Sequence, residues 1–126
     1  MPFVTEPDYP GDLIKYEADR HYSRDEGLIA SGAGALGVGA VLGVVTGSGE
    51  YAPVDPSETN GLEVAAALLL QTVDATSAAA PAVVLTRHAV VSRAALVYGA
   101  AVTTPAERQA IDEQLTAAGL VVRDAA

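Results

Sequence analysis

Ala40-Val41-Leu42-Gly43-Val44-Val45-Thr46, followed by Gly47-Ser48-Gly49 and Glu50-Tyr51-Ala52-Pro53-Val54, is the most informative stretch of this chain for its architecture. Its first part is rich in β-branched residues, whose stiff side chains suit a pleated, half-buried surface better than a helix. The Gly-Ser-Gly triplet supplies turn chemistry, and the segment behind it reads as a short return strand. A chain organised around such a hairpin is mainly β.

On the N-terminal side of the hairpin, Leu28-Ile29-Ala30 is a candidate strand, and Ser31 to Gly39 is read as a glycine-rich turn region. Eight of the twelve glycines lie between Gly27 and Gly49, which marks tight backbone turns. Residues Gly32 to Gly37 fit the string G-x-G-x-x-G. A dinucleotide fingerprint, however, needs a helix opening at its glycines, and here Gly39 and Gly43 interrupt the segment where that helix would lie. On the other side, Asp55 to Gly61 is a loop by composition. Val64 to Val73 fits a strand or a helix; it is read as a strand because Gly61 precedes it and a loop, Asp74 to Pro81, comes after it. Ala82 to Val91 is the strongest strand, and Ala94 to Tyr98 a further short one. One helix is expected near the C-terminus. Thr104-Pro105-Ala106-Glu107 forms a capping box with proline at the first helical position, and Gly119 ends the helix. Ala110, Ile111, Leu115 and Ala118 are assigned to its buried face, and Leu120 to Arg123 is a closing strand.

The 126 residues amount to one domain. Half are apolar, yet there are only five Tyr, one Phe and no Trp, so the core must be built from Ala, Val, Leu and Ile. Small side chains bury little area each, which favours association with further copies. Seven cations among sixteen acids give a net charge of −9, the wrong sign for phosphate, so nucleic acid is excluded as a direct partner. The absence of cysteine rules out disulfides and thiolate metal sites. The start MPFVTEPDYPGD carries acids and prolines where a signal peptide has a basic and an apolar region. The apolar stretch Ala33 to Thr46 is too short and glycine-rich to span a bilayer. The expectation is a protein made in the cytoplasm with no membrane partner.

Residues 1–22 are read as an extended N-terminal arm and residues 23–126 as a β-rich body. Pro2, Pro7 and Pro10 bias the arm against helix. Between its charges sit Phe3, Val4, Tyr9, Leu13, Ile14, Tyr16 and Tyr22, more anchors than a plain disordered tail carries. Such a segment suits strand addition to a partner's sheet edge, the competing readings being a floppy tail with incidental aromatics or a strand folded back on its own body.

No catalytic, cofactor or metal site is read from the chain. His21 and His88 lie outside any metal-type spacing. Asp55, Glu58 and Asn60 miss the D-x-[DN]-x-[DN]-G rule of a calcium loop. Ser48 between two glycines is a turn residue, not a nucleophile elbow.

Taken in order, Ser23-Arg24-Asp25, Gly39 to Thr46, Glu50-Tyr51 to Asp55-Pro56, Asn60-Gly61, Ala67 to Leu70 with Val73-Asp74-Ala75, Arg87 to Val91, Leu96-Val97-Tyr98, the closing helix and Gly119 to Arg123 resemble the lambda-type bacteriophage head decoration protein family. The resemblance spans roughly residues 20–123. It implies a β-clip-like fold, a homotrimer, and a capsid-stabilising place on the outer surface of the expanded icosahedral head, at local three-fold positions. The partner it implies is the major capsid protein, reached by the arm, and the role is cementing against internal DNA pressure, not catalysis. The rival classes are a tail or fibre accessory and a small ligand-binding β-domain, the latter expected to show a pocket around His88, Arg87 or Asp55.

Overall fold

The computed structural model describes residues 13–17 and 23–123. Among these the fold is mainly β, with one helix near the C-terminus, as the sequence predicts. In chain order the strands are β1 (Ile14–Glu17), β2 (Arg24–Ile29), β3 (Gly34–Leu36), β4 (Val41–Val44), β5 (Tyr51–Pro53), β6 (Ala67–Leu69), β7 (Val73–Ala75), β8 (Ala80–Leu85), β9 (Ala89–Ser92) and β10 (Leu120–Arg123). The helix, α1, spans Pro105–Ala117.

The hairpin around Gly47-Ser48-Gly49 forms: β4 and β5 are antiparallel, with Leu42 opposite Pro53 and Val44 opposite Tyr51. It sits inside a closed barrel of order β2-β5-β4-β6-β8, in which only β2 and β5 run parallel. A separate sheet has the order β1-β9-β10, and β3 and β7 make a small two-stranded ribbon.

Three barrel strands are buried on both faces. Val41, Leu68 and Leu85, aligned by register across β4, β6 and β8, face a core shared with Val91, Ile111, Leu115 and Leu120. Their neighbours Leu42, Ala67, Leu69 and Val84 face a second core with Ile29, Val73 and Ala75. Strands covered on both sides lose the apolar-polar alternation, which explains the continuous apolar runs in this sequence. At about 1.5–3 kcal/mol per fully buried aliphatic side chain, these two cores supply the main driving force for folding.

The two long strand readings are each broken in two. The Val64–Val73 run contains β6 and only the first residue of β7, because the chain leaves the barrel there to pair with β3. At the corner the Gln71 side-chain oxygen accepts the Val83 amide at 2.6 Å and Leu70 N donates to Val83 O. The expected loop Asp74–Pro81 therefore holds the rest of β7 and the start of β8. Likewise Ala82–Val91 is not one strand: β8 belongs to the barrel and β9 to the other sheet. The break falls at residues 86–88, where His88 takes φ 55°, a left-handed conformation that few side chains adopt. Ala94–Tyr98 is no strand either. A 3-10 turn covers Arg93–Ala95, and only a single bridge joins Val97 to Ala40.

The glycine-rich region contains β3 as well as turns. Gly39, at φ 94°, is obligatory, since a Cβ there would run into the Ala95 carbonyl oxygen. The helix is capped as read, with Thr104 Oγ1 accepting from Glu107 N and the Glu107 carboxylate accepting from Thr104 N. Ile111 and Leu115 are buried, whereas Ala110 and Ala118 face solvent. The buried stripe is thus narrower than expected, because α1 lies against the body along one line of contact.

Candidate functional site

The root of the N-terminal segment is the place where the sequence puts its binding residues. Of these, Phe3, Val4, Tyr9 and Tyr22 lie outside the described residues. Leu13 is wholly buried, in the same core as Ile111, Leu115 and Leu120. Ile14 is half-buried against that core, and Tyr16 is 64% exposed. The structure therefore separates three neighbouring anchors: one packs the body, one lies at its margin, and one faces outward.

β1 runs antiparallel to β9, with Ile14 opposite Val91 and Glu17 opposite Ala89. The pairing stems from composition on both sides, since Ala89 and Val91 are buried and give Leu13 and Ile14 an apolar surface to cover. Within the described residues β1 is an edge strand of its sheet, as is β10. An edge strand presents unpaired backbone donors and acceptors on its outer side, which is the chemistry of strand addition.

The arrangement is pinned by a latch. Glu17 Oε2 accepts from Ser23 Oγ at 2.6 Å and from Arg24 Nε at 2.7 Å, and Glu17 Oε1 accepts from Arg24 Nη2 at 2.9 Å. The fork-to-fork geometry holds the guanidinium in a fixed plane and raises the Arg24 pKa further, chiefly through its hydrogen bond to Glu17. A second pair stands beside it, Arg87 Nη2 on Asp25 Oδ2 at 2.7 Å, with Thr86 Oγ1 donating to the same oxygen at 3.2 Å. The Arg87 hydrogen bond holds the Asp25 carboxyl below its ordinary range. Together these contacts tie the end of β1 and the start of β2 to the 86–88 turn.

Neither contact is legible in the sequence. Glu17 and Arg24 are seven apart, and Asp25 and Arg87 sixty-two apart, so only the strand pairing brings them together. The Ser23-Arg24-Asp25 string, one of the segments that together carry the resemblance, does not disclose the partners.

Two of the side chains expected to line the rival pocket are engaged in contacts of their own. Arg87 faces Asp25, and Asp55 closes its own turn by accepting from Ser57 N at 3.0 Å and Ser57 Oγ at 2.6 Å. Among the described residues no group of three His, Asp or Glu side chains could hold a metal. No described helix is long and apolar enough to cross a membrane. A groove of about 720 Å³ does exist elsewhere, beside α1, lined among others by Arg93, Tyr98, Arg108, Asp112 and Val122. There Asp112 accepts from Arg93 Nε at 2.8 Å and from Tyr98 OH at 2.6 Å. Burial first, and Asp112 second, push the Tyr98 hydroxyl up to about 12.

Comparison with known proteins adds the decisive finding. The family model for bacteriophage lambda head decoration protein D matches residues 3–120, nearly the whole chain, including β1 and its approach. No curated protein matches it. With most of the chain covered by that one model, the protein belongs to the bacteriophage lambda head decoration protein family.

Proposed function

We propose that this chain cements an icosahedral phage head as a homotrimer seated on the outer surface at local three-fold positions. In this reading each subunit sends residues 1–12 to the major capsid protein and holds the expanded shell against internal DNA pressure. The observation that carries it is the placement of β1. Among the described residues it is an edge strand, rooted by Leu13 and by the Glu17 latch, and in sequence it follows the segment bearing Phe3, Val4 and Tyr9. A force on the arm is thereby transferred to the core and not to a loose tail.

The charge supports the same reading. A chain of net charge −9 is repelled by DNA and suits a face turned away from it. Three arms on one trimer would convert weak pairings into firm attachment through effective concentration. Tyr16 and Tyr22 extend the contact surface in this proposal, whereas Leu13 serves the subunit's own core.

The test is to delete residues 1–12, leaving Leu13 in place, and to measure co-sedimentation with expanded shells that lack decoration protein. Loss of binding with unchanged thermal unfolding is expected. Undiminished binding of the truncated protein would overturn the role of the arm. A cryo-EM map of the particle decides the location. Density at three-fold sites of the shell supports the proposal, and density confined to tail or fibre refutes it.

A further inference from the structure

The loop between β5 and β6 contains Asn60-Gly61. In an Asn-Gly pair no Cβ hinders the glycine nitrogen from approaching the asparagine side-chain carbonyl. Here that carbonyl is held and polarised: Asn60 Oδ1 accepts from Leu62 N at 3.3 Å. A donor on this oxygen favours the tetrahedral adduct that attack at Cγ would form. The nucleophile is restrained in the opposite sense. Gly61 N donates to the Glu63 carboxylate, Oε2, at 2.9 Å.

We propose that Asn60 is a latent self-modification site and that the Glu63 carboxylate guards it. Left unguarded, Gly61 N loses its proton to hydroxide and attacks Asn60 Cγ. The N–Cγ bond forms, the Cγ–Nδ2 bond breaks, and Nδ2 takes up a proton and leaves as ammonia. Water then opens the resulting succinimide at either carbonyl, giving aspartate or isoaspartate. Water enters, ammonia departs, and no redox partner is needed. The reacting form of Gly61 N is an anion. A carboxylate at hydrogen-bonding distance stabilises the N–H form and repels that anion, so it raises the barrier.

The site matters mechanically. Asn60 O accepts from Thr46 N at 2.8 Å, and a Cβ at Gly61, whose φ is 109°, would run into the Val44 carbonyl oxygen. Isoaspartate would add a main-chain atom at this point and uncouple the loop from the end of β4. The guard thus protects the joint between the loop and the barrel, whatever surface the protein binds.

The experiment compares the full-length protein with Glu63→Gln and Glu63→Ala during prolonged incubation at mildly alkaline pH. Deamidation at residue 60 is read by peptide mass spectrometry and isoaspartyl methyltransferase labelling. Each folded rate is set against the same chain in urea. Glu63→Gln retains an acceptor but not the charge. It should react roughly fivefold faster than wild type or more, the factor matching about 1 kcal/mol of contact-distance repulsion in water. Glu63→Ala should react at least as fast. If Glu63→Ala proves unfolded, the isosteric Glu63→Gln decides alone. A folded variant at or below the wild-type rate overturns the proposal, as does wild type reacting as fast when folded as in urea.

Discussion

Glu17 and Arg24 meet through two parallel N–H···O bonds of 2.7 and 2.9 Å, bridging the end of β1 to the start of β2. The Glu17 side chain is only 11% exposed, so the pair is partly shielded from water and salt. Truncating Glu17 leaves Arg24 and the fully buried Ser23 without their shared acceptor. Glu17→Ala should therefore cost about 1–3 kcal/mol in urea unfolding. Amide exchange in residues 14–17 should accelerate more than in the barrel. Equal acceleration everywhere would show that the latch has no local role.

Leu13 marks where a truncation can end. Leu13→Ala should lower stability by about 2–5 kcal/mol, the range for emptying a fully buried leucine site. Removal of residues 1–12 should leave the unfolding midpoint nearly unchanged. Equal unfolding curves for Leu13→Ala and wild type would contradict the packing of Leu13.

Gly39→Ala places a methyl group against the Ala95 carbonyl oxygen and forces a side chain to φ 94°. A loss of roughly 2–4 kcal/mol is expected, read as a lowered denaturant midpoint with unchanged slope. Gly47→Ala, where a Cβ meets nothing within 4 Å, is the control and should change little.

Acid should loosen the arm's root. The Asp25 carboxyl is held below its ordinary value of 3.8, first by the Arg87 hydrogen bond. A depressed carboxyl contributes stability that is present above its unfolded pKa and is lost as pH falls through the folded one. Stability should thus decline as pH falls below about 4, and Asp25→Asn should flatten that part of the curve. An unaltered acid profile for the variant would remove Asp25 from the explanation.

Alkali acts elsewhere. Tyr98 is pushed up to about 12, so its contribution is complete below the ordinary value of 10 and is lost as pH rises through about 12. Spectrophotometric titration of the folded protein should show a late tyrosine step that Tyr98→Phe diminishes. Tyr51, also raised and chiefly by burial, should account for part of what persists. A titration with every tyrosine near 10 would contradict the burial of both rings.

Local chemistry is readable without the fold. The hairpin around Gly47-Ser48-Gly49, the capping box at Thr104 and the mainly β character come from turn residues, β-branching and capping, which act over a few positions. The order of motifs along the chain also carries the family resemblance. Strand boundaries are hidden, because β4, β6 and β8 are buried on both faces and their apolar runs hold no record of where the chain changes sheets. His88 turns the backbone through φ 55° with no glycine to announce it. The root of the N-terminal segment is legible as a composition of aromatics and acids, but its sorting is not. Whether Leu13 packs inward while Tyr16 faces out depends on the surface that β9 offers, and the Glu17–Arg24 latch on a register joining distant segments. The kind of protein this is was already written in its residue order, through interactions between near neighbours. Where the N-terminal segment is anchored depends instead on packing between residues far apart in the chain, and that emerges with the folded molecule alone.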